Sequence, residues 1–179
     1  MLDTLITSKT RIKLLLRFFL NSNSSSYLRN LETEFNESTN AIRLELNRFE
    51  KAGLLVSGMK GNRKIFRANT GHPLFPDITN IIRKYVGFDQ IIDNITTKLG
   101  SLQKAYIAGD IALGKDAKNI DLILVGKEID TNYLDKLILK TQNLIHRDIH
   151  YIILDKNEEN ENLAKLKEVF LIWESNGIM

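Results

Sequence analysis

Residues whose types and spacing could bind a ligand are concentrated between residues 38 and 67. Ile42, Leu46 and Phe49 recur at the i, i+4 and i+7 positions of a helix, so one face of that helix is apolar and must pack inward. The spacing predicts a helix over Ser38–Lys51. The opposite face of this helix is left with small polar side chains, an arginine and a leucine, namely Thr39, Asn40, Arg43, Leu44 and Asn47.

A basic hairpin is predicted directly after this helix, with strands at Leu54–Ser57 and Lys64–Arg67 and a tip that contains two glycines. Cations on a flexible tip give salt-dependent affinity for phosphate, and Arg and Asn match guanine and adenine edges in the major groove. The pattern therefore favours DNA binding over an ordinary surface hairpin that is basic by chance. The hairpin residues of this prediction are Lys60, Asn62, Arg63 and Lys64.

Composition and charge limit what the chain can be. Its 179 residues suffice for one large domain or two small ones, and no apolar run approaches a membrane span. The lack of cysteine excludes disulfides and thiolate metal sites, and with no export signal it favours the cytoplasm. Residues 1–70 contain 12 Lys/Arg and 6 Asp/Glu, whereas residues 71–179 contain 13 and 16. This asymmetry predicts two modules, with a polyanion partner on the first.

Two more helices are predicted ahead of the Ser38 helix, at Ser8–Leu20 and Tyr27–Phe35, with a polar loop at Asn21–Ser26 between them. Three helices closed by a basic hairpin follow the order of a winged helix-turn-helix domain. Residues 3–70 resemble winged-helix repressors of the arsenical-resistance type, most specifically in LNRFEKAGL at residues 46–54. The resemblance implies a DNA-binding transcriptional regulator whose partner is double-stranded DNA.

A domain boundary is predicted at Asn69–Pro76, which holds both prolines of the chain. The helices predicted next, at Ile78–Tyr85 and Phe88–Leu99, have more apolar positions than one small module buries. This excess of apolar positions predicts that part of the apolar face of these helices forms a homodimer seam. Packing of that face onto a second domain explains the excess equally well. The predicted divisions are a winged helix-turn-helix domain, a helical connector and a C-terminal α/β domain, at residues 1–70, 71–100 and 101–179.

Strands and helices alternate after residue 100, which predicts an α/β unit with a small mixed sheet and an overall α+β / α/β two-domain fold. A charged, solvated loop is predicted at Lys156–Glu161. The predicted strands are Ala105–Ala108, Asn119–Val125 and Asp148–Leu154, and the predicted helices are a short one from Ile111, Thr131–Leu144 and Leu163–Trp173.

The frame Gly109-Asp110…Ala112-x-Gly114…Asn119-Ile120-Asp121-Leu122 resembles the minimal nucleotidyltransferase domain. That family has a Gly-Ser turn that cradles triphosphate, an Asp-x-Asp strand and a third carboxylate on a later strand, which together hold Mg²⁺. Residues 72–100 likewise resemble the connector of winged-helix proteins fused to such a domain. The family positions implied by the resemblance are Gly109, Asp110, Asn119, Asp121 and Asp148.

The sequence departs from the family where catalysis would take place. Asp110 replaces the serine and puts an anion where triphosphate should bind, and Asn119 replaces the first carboxylate. Losing one of three carboxylates weakens a Mg²⁺ site, because ligand charge holds hard cations. We therefore expect these five family positions to be vestigial, with no enzymatic activity and no cofactor, and with Mg²⁺ or another divalent metal as the alternative. The domain is expected to serve in sensing, dimerisation or docking, with a small molecule or a protein as its ligand.

Two other functions stay open, namely an active nucleotidyltransferase that uses the winged helix for targeting, and an antitoxin-like module that binds another protein. His146, just before the last predicted strand, alternates with Asp148 and His150 of that strand, so these residues are expected on one face. If Asp148 occupies the third family position, then Asp121, Asp148 and His150 form an O,O,N set suited to a transition metal. The competing interpretation is a set of polar residues that line a solvated groove.

Overall fold

The structure, a computed structural model, describes residues 2–166 and 168–175. The chain divides into two compact units, one formed by the residues up to Tyr85 with Gly114–Asp116 and the other by Val86–Leu113 with the residues from Ala117 onward. Each unit combines helices with a small sheet, so the fold is mixed α+β. The predicted connector at residues 71–100 is shared between the two units.

The helices of the first unit begin and end close to where the sequence predicts. Ser8 and Ser38 each accept a backbone N–H at a helix start, from Arg11 and Ala41, and so satisfy a donor that the helix leaves unpaired. Asn36, in the left-handed region with φ 50°, ends the helix before Ser38. The helices are α1 (Leu2–Leu5), α2 (Lys9–Phe19), α3 (Leu28–Phe35), α4 (Thr39–Lys51) and α5 (Phe75–Val86).

A three-stranded antiparallel sheet, in the order β1-β3-β2, completes the first unit. The predicted hairpin is confirmed, with strands longer than expected, and its tip is reduced to Gly61 and Asn62. The predicted loop at Asn21–Ser26 is wrong at its end, because Ser25 and Ser26 pair with β3. The strands are β1 (Ser25–Tyr27), β2 (Leu55–Lys60) and β3 (Arg63–Ala68).

The core of the first unit is apolar, and each fully buried Leu, Ile or Phe contributes about 1.5–3 kcal/mol relative to an exposed one. Arg17 is nevertheless buried, and its Nε lies 3.1 Å from Glu34 Oε2, which joins α2 to α3. The buried apolar side chains come from all the long elements and include Leu14, Leu16, Phe18, Leu31, Ile42, Leu46 and Phe66.

The second unit contains a four-stranded sheet in the order β6-β5-β4-β7, in which β5 and β6 are parallel and the other pairs antiparallel. The predicted small mixed sheet is therefore confirmed. Its strands are β4 (Leu102–Ala108), β5 (Asn119–Gly126), β6 (Asp148–Leu154) and β7 (Val169–Glu174). Its helices are α6 (Phe88–Asn94), a 3-10 turn (Thr96–Lys98), α7 (Gly109–Ala112), α8 (Thr131–Ile145) and α9 (Glu159–Ala164).

The predicted final helix at Leu163–Trp173 is wrong. The helix there, α9, ends at Ala164, and Val169–Glu174 forms β7 against β4, with Trp173 opposite Ala105. A run of β-branched and aromatic residues fits a pleated sheet edge better than a helix. The helix predicted at Phe88–Leu99 is also shorter, since it ends at Asn94.

The apolar face predicted as a dimer seam is largely buried within the chain. Ile82, Ile91, Ile95 and Leu99 are all less than a tenth exposed, and Ile81 is 51% exposed. Of the helices in the described ranges, none has the length and apolar character needed to cross a membrane.

Candidate functional site

The outer face of α4 is open to solvent, as the sequence predicts. Asn40, Arg43, Leu44 and Asn47 are exposed, and Thr39 is half-buried. The opposite face packs inward through the apolar positions expected there, namely Ile42, Leu46 and Phe49. The helix thus presents an arginine and an asparagine one turn apart, on the same face.

The hairpin carries its predicted polar residues, Lys60, Asn62, Arg63 and Lys64, on exposed positions. The guanidinium carbon of Arg63 lies 4.7 Å from the centre of the Tyr27 ring, so a cation–π contact with β1 fixes the arginine.

Glu50 of α4 joins the helix to the hairpin. Its Oε2 lies 2.7 Å from Lys64 Nζ, and its Oε1 accepts a hydrogen bond from the Ser57 hydroxyl. The hydrogen bond from Lys64, followed by that from Ser57, lowers the pKa of Glu50 below its ordinary value. Lys64 is therefore held by a carboxylate at a position where the sequence predicts a contact with phosphate.

A groove of about 720 Å³ lies between α4 and the hairpin. It brings together five of the nine predicted DNA-binding residues, and four of its ten lining residues are cations. Sequence reasoning missed two important members, Tyr27 and Arg29, which β1 and the start of α3 place at the wall. The lining residues are Tyr27, Leu28, Arg29, Arg43, Leu46, Asn47, Asn62, Arg63, Lys64 and Phe66.

In the second unit, the chain turns from β4 into α7 at Gly109, the first residue of α7, and this turn lies directly against β5. Gly109 has φ +68°, and a Cβ on it would lie 2.0 Å from Asp121 Oδ2. Ala108 and Asp121 are direct partners in the β4–β5 register. Only glycine allows this approach of the turn to the carboxylate. Asp110, the next residue, is exposed.

The parallel register of β5 and β6 places Asn119 opposite Asp148 and Asp121 opposite His150. Asp121 Oδ1 lies 3.6 Å from His150 Nδ1, whereas Asp148 Oδ2 pairs with Lys118 Nζ at 2.9 Å. A groove of about 260 Å³ beside Gly109 is lined in part by Asp121 and His150. The structure thus brings together two of the three predicted metal ligands, and gives Asp148 a different partner.

The predicted row of His146, Asp148 and His150 is wrong at His146. This residue closes α8 in a left-handed conformation with φ 55° and does not belong to β6. Within residues 2–166 and 168–175 there is no group of three or more His, Asp or Glu side chains that could hold a metal ion. A carboxylate, an imidazole and the Asn119 amide also do not fit Mg²⁺, which prefers several oxygen ligands.

A buried polar cluster was missed by sequence reasoning. Glu159, predicted in a solvated loop, is 6% exposed and accepts hydrogen bonds from the Tyr106 hydroxyl and from Lys104 Nζ, the latter at 2.9 Å. The bond from Tyr106, and then that from Lys104, outweighs burial and lowers the pKa of Glu159. Burial and the same carboxylate raise the pKa of Tyr106. The cluster joins α9 to β4.

Comparison with protein-family models finds no match for the chain, and comparison with curated proteins finds no similar sequence. Among solved structures, reduced HlyU from Vibrio cholerae N16961 is 11% identical over 46% of this chain and 82% of its own, with a TM-score of 0.37. A candidate nucleotidyltransferase from Sulfolobus solfataricus is 22% identical over 54% of this chain and 86% of its own, with a TM-score of 0.37.

A further similar structure is the tri-AMPylated HEPN toxin of Shewanella oneidensis in complex with MNT antitoxin. The match is 16% identical over 50% of this chain and 71% of that chain, with a TM-score of 0.37. Nucleotidyltransferase-fold proteins, including toxin–antitoxin proteins, are therefore among the structural neighbours, and each matches about half of the chain. The winged-helix regulator stays a prediction.

Proposed function

We propose that the first unit is a winged helix-turn-helix domain that binds double-stranded DNA, and that the chain acts as a transcriptional regulator. The observation that supports this function is the groove between α4 and the hairpin, whose lining includes Arg29, Arg43, Arg63 and Lys64. Within the described parts of the chain, no carboxylate lines this groove. A cationic groove of this kind suits a phosphate backbone.

In this proposal, α4 recognises the bases. Arg43 and Asn47 are exposed and one turn apart, and both line the groove. A helix fits the major groove of B-DNA, where Arg pairs with guanine O6 and N7, and Asn pairs with adenine N6 and N7. Thr39, Asn40 and Leu44 share the exposed side of α4 and supply further contacts in this proposal.

The hairpin supplies contacts to the phosphates, through Lys60, Asn62, Arg63 and Lys64. Stacking on Tyr27 preorganises the Arg63 side chain, so less conformational entropy is lost when it binds. Lys64 contributes less than Arg63, because binding to phosphate must compete with its ion pair to Glu50.

For the second unit we propose a nucleotidyltransferase-like domain without catalytic activity, which serves in sensing, dimerisation or docking. Asp110 and Asn119 depart from the family pattern, and Asp148 is paired with Lys118. A single remaining carboxylate, Asp121, leaves too little ligand charge for a pair of Mg²⁺ ions.

A second candidate function is an active nucleotidyltransferase or an antitoxin-like module that binds another protein. The observation that favours a nucleotidyltransferase is the close approach of Gly109 to Asp121, which keeps the turn and the carboxylate of the nucleotidyltransferase family side by side. A candidate nucleotidyltransferase and toxin–antitoxin proteins are also among the similar structures.

Transfer of labelled nucleotide from ATP, GTP, CTP or UTP separates the two proposals for the second unit. We expect no labelling of protein or nucleic acid by the chain. The double variant Asp110→Ser, Asn119→Asp should bind Mg-nucleotide more tightly than the natural sequence. Robust labelling by the unmodified chain would favour the active enzyme.

The DNA proposal is tested by selection of bound duplexes from a random pool with the full chain. We expect one enriched sequence, and we expect the Arg43→Ala variant to lose part of that preference. A pool without enrichment would argue against a sequence-specific regulator.

A further inference from the structure

The strand β6 forms one edge of the sheet in the second unit, with β5 as its single strand partner in the described ranges. The Asp148 N–H donates to the Lys118 carbonyl, which precedes β5, so the backbone of Asp148 faces β5. Backbone direction alternates along a strand. The N–H and C=O groups of Ile149, Tyr151 and Ile153 therefore point away from the sheet. The Ile149 N–H accordingly bonds a side chain, Gln142 Oε1, at 2.6 Å.

Apart from the bond between Gln142 and the Ile149 N–H, this edge lacks the features that prevent strands from pairing between molecules. Its seven residues, DIHYIIL, contain no Pro, Gly or Lys, and their register with β5 is regular. The other edge strand, β7, has an irregular register with β4 between Ala105 and Tyr106. Ile152 of β6 is 51% exposed, so this strand presents an apolar side chain to solvent.

We propose that β6 pairs antiparallel with β6 of a second copy of this chain, about a two-fold axis at Tyr151. The two four-stranded sheets then form one continuous sheet. This register places Tyr151 opposite Tyr151 of the other copy, Ile149 opposite Ile153, and His150 opposite Ile152. The outward N–H and C=O groups of Tyr151 and the N–H of Ile153 gain partners, while the Ile149 N–H keeps its bond to Gln142.

The partner strand is β6 of a second copy because the edge of β6 is complementary to itself. Apolar residues face apolar residues on one side of the strand, and the exposed Ile152 is covered by a neighbour in the partner. The same register places Arg147, just before β6, opposite Asp155, just after it, so opposite charges lie at both ends while Arg147 keeps its hydrogen bond to the Ala117 carbonyl. A two-fold axis requires such self-complementarity of the patch.

Neighbouring registers lack these features. An axis at His150 would place the two His150 side chains opposite each other and Arg147 opposite Ile153. An axis at Ile152 would place Ile149 opposite the Asp155 carboxylate. The interface goes beyond the proposed DNA binding, and it would also put Ile152 of the second copy beside the Asp121–His150 pair.

Cysteine cross-linking tests the register directly, because the chain contains no cysteine. Paired residues of an antiparallel sheet have Cα atoms about 5.5 Å apart, within the range of roughly 4.4–6.8 Å that a disulfide bridges. We expect the Tyr151→Cys variant of the full chain to form a disulfide-linked dimer under mild oxidation. The control is Leu144→Cys on α8, which is 54% exposed in the natural chain and lies on the opposite side of the helix from Gln142.

Sedimentation equilibrium at micromolar concentration measures the interface without cross-linking. We expect a dimer whose dissociation constant rises roughly tenfold in Ile152→Lys, since each copy loses a cross-strand pair. The control Leu144→Lys should leave the constant unchanged, and melting curves show that each variant is folded. Monomer at every concentration would overturn the proposal. A dimer that neither Tyr151→Cys links nor Ile152→Lys weakens would place the interface elsewhere and overturn it equally.

Discussion

Asp121 lies directly over Gly109, so closely that a Cβ on the glycine would lie 2.0 Å from Asp121 Oδ2. The contact joins the turn after β4 to β5, one of the two inner strands of the sheet. It exists because Gly109 has no side chain and because its φ of +68° is accessible to glycine. The geometry of the second candidate site depends on this contact.

Gly109→Ala should therefore destabilise the protein by about 2–5 kcal/mol, the sum of a left-handed alanine and a steric clash. The measurement is chemical unfolding followed by circular dichroism. The control is Gly100→Ala, where a Cβ would meet nothing within 4 Å. Equal stability of the two variants would show that the turn does not hold this conformation.

The contact could be only partly predicted from the sequence. The resemblance to nucleotidyltransferases implies a turn at Gly109 near Asp121, but the distance between them depends on the register of β4 and β5. Strand β6 was predicted to the residue, because its apolar run is bounded by polar residues on both sides. Strand β7 was mistaken for a helix, because a short apolar run has no period that separates the two structures.

Glu159→Gln should destabilise the protein by about 1–3 kcal/mol near pH 7, because a buried ion pair with Lys104 is broken. The effect should depend on pH. The folded state lowers the pKa of Glu159 below 4.5, so its stabilisation is fully present above about pH 4.5 and is lost as pH falls through the folded pKa. The difference between the natural chain and the variant should therefore shrink in acid.

Unfolding midpoints from pH 7 to pH 3 measure this difference. The matched control is Glu161→Gln, a carboxylate of the same helix that is exposed and pairs with Lys165. Its effect should stay within about 0.5 kcal/mol, as is usual for exposed pairs. A pH-independent difference for Glu159→Gln would contradict the ionised cluster.

The Glu159 cluster had no signal in the sequence. Its partners Lys104 and Tyr106 lie more than fifty positions away, and only the packing of α9 on β4 brings the three together. The Glu50–Lys64 pair escaped prediction for the same reason, since each residue alone resembles an ordinary surface charge. By contrast, the buried and exposed faces of α4 follow from helical period alone.

Glu50→Gln should strengthen binding to DNA of any sequence. The change releases Lys64 from its ion pair and removes a carboxylate beside the cationic groove. One additional phosphate contact should steepen the dependence of log K on log salt by about one. Fluorescence anisotropy over a salt series checks this, with Glu161→Gln as the matched control. Unchanged affinity and slope would show that Lys64 does not reach the phosphates.

The most direct test of the central proposal measures binding of the full chain to the duplex selected from a random pool. Arg43→Ala should weaken binding by about 1–3 kcal/mol and relax the sequence preference at one base position. Arg63→Ala should weaken binding to DNA of all sequences alike and reduce the slope of log K against log salt by about one. Lys136→Ala, an exposed cation of the second unit, is the control and should change neither. The account predicts that the double variant Arg43→Ala, Arg63→Ala loses specific binding, and unchanged binding by that variant would contradict it.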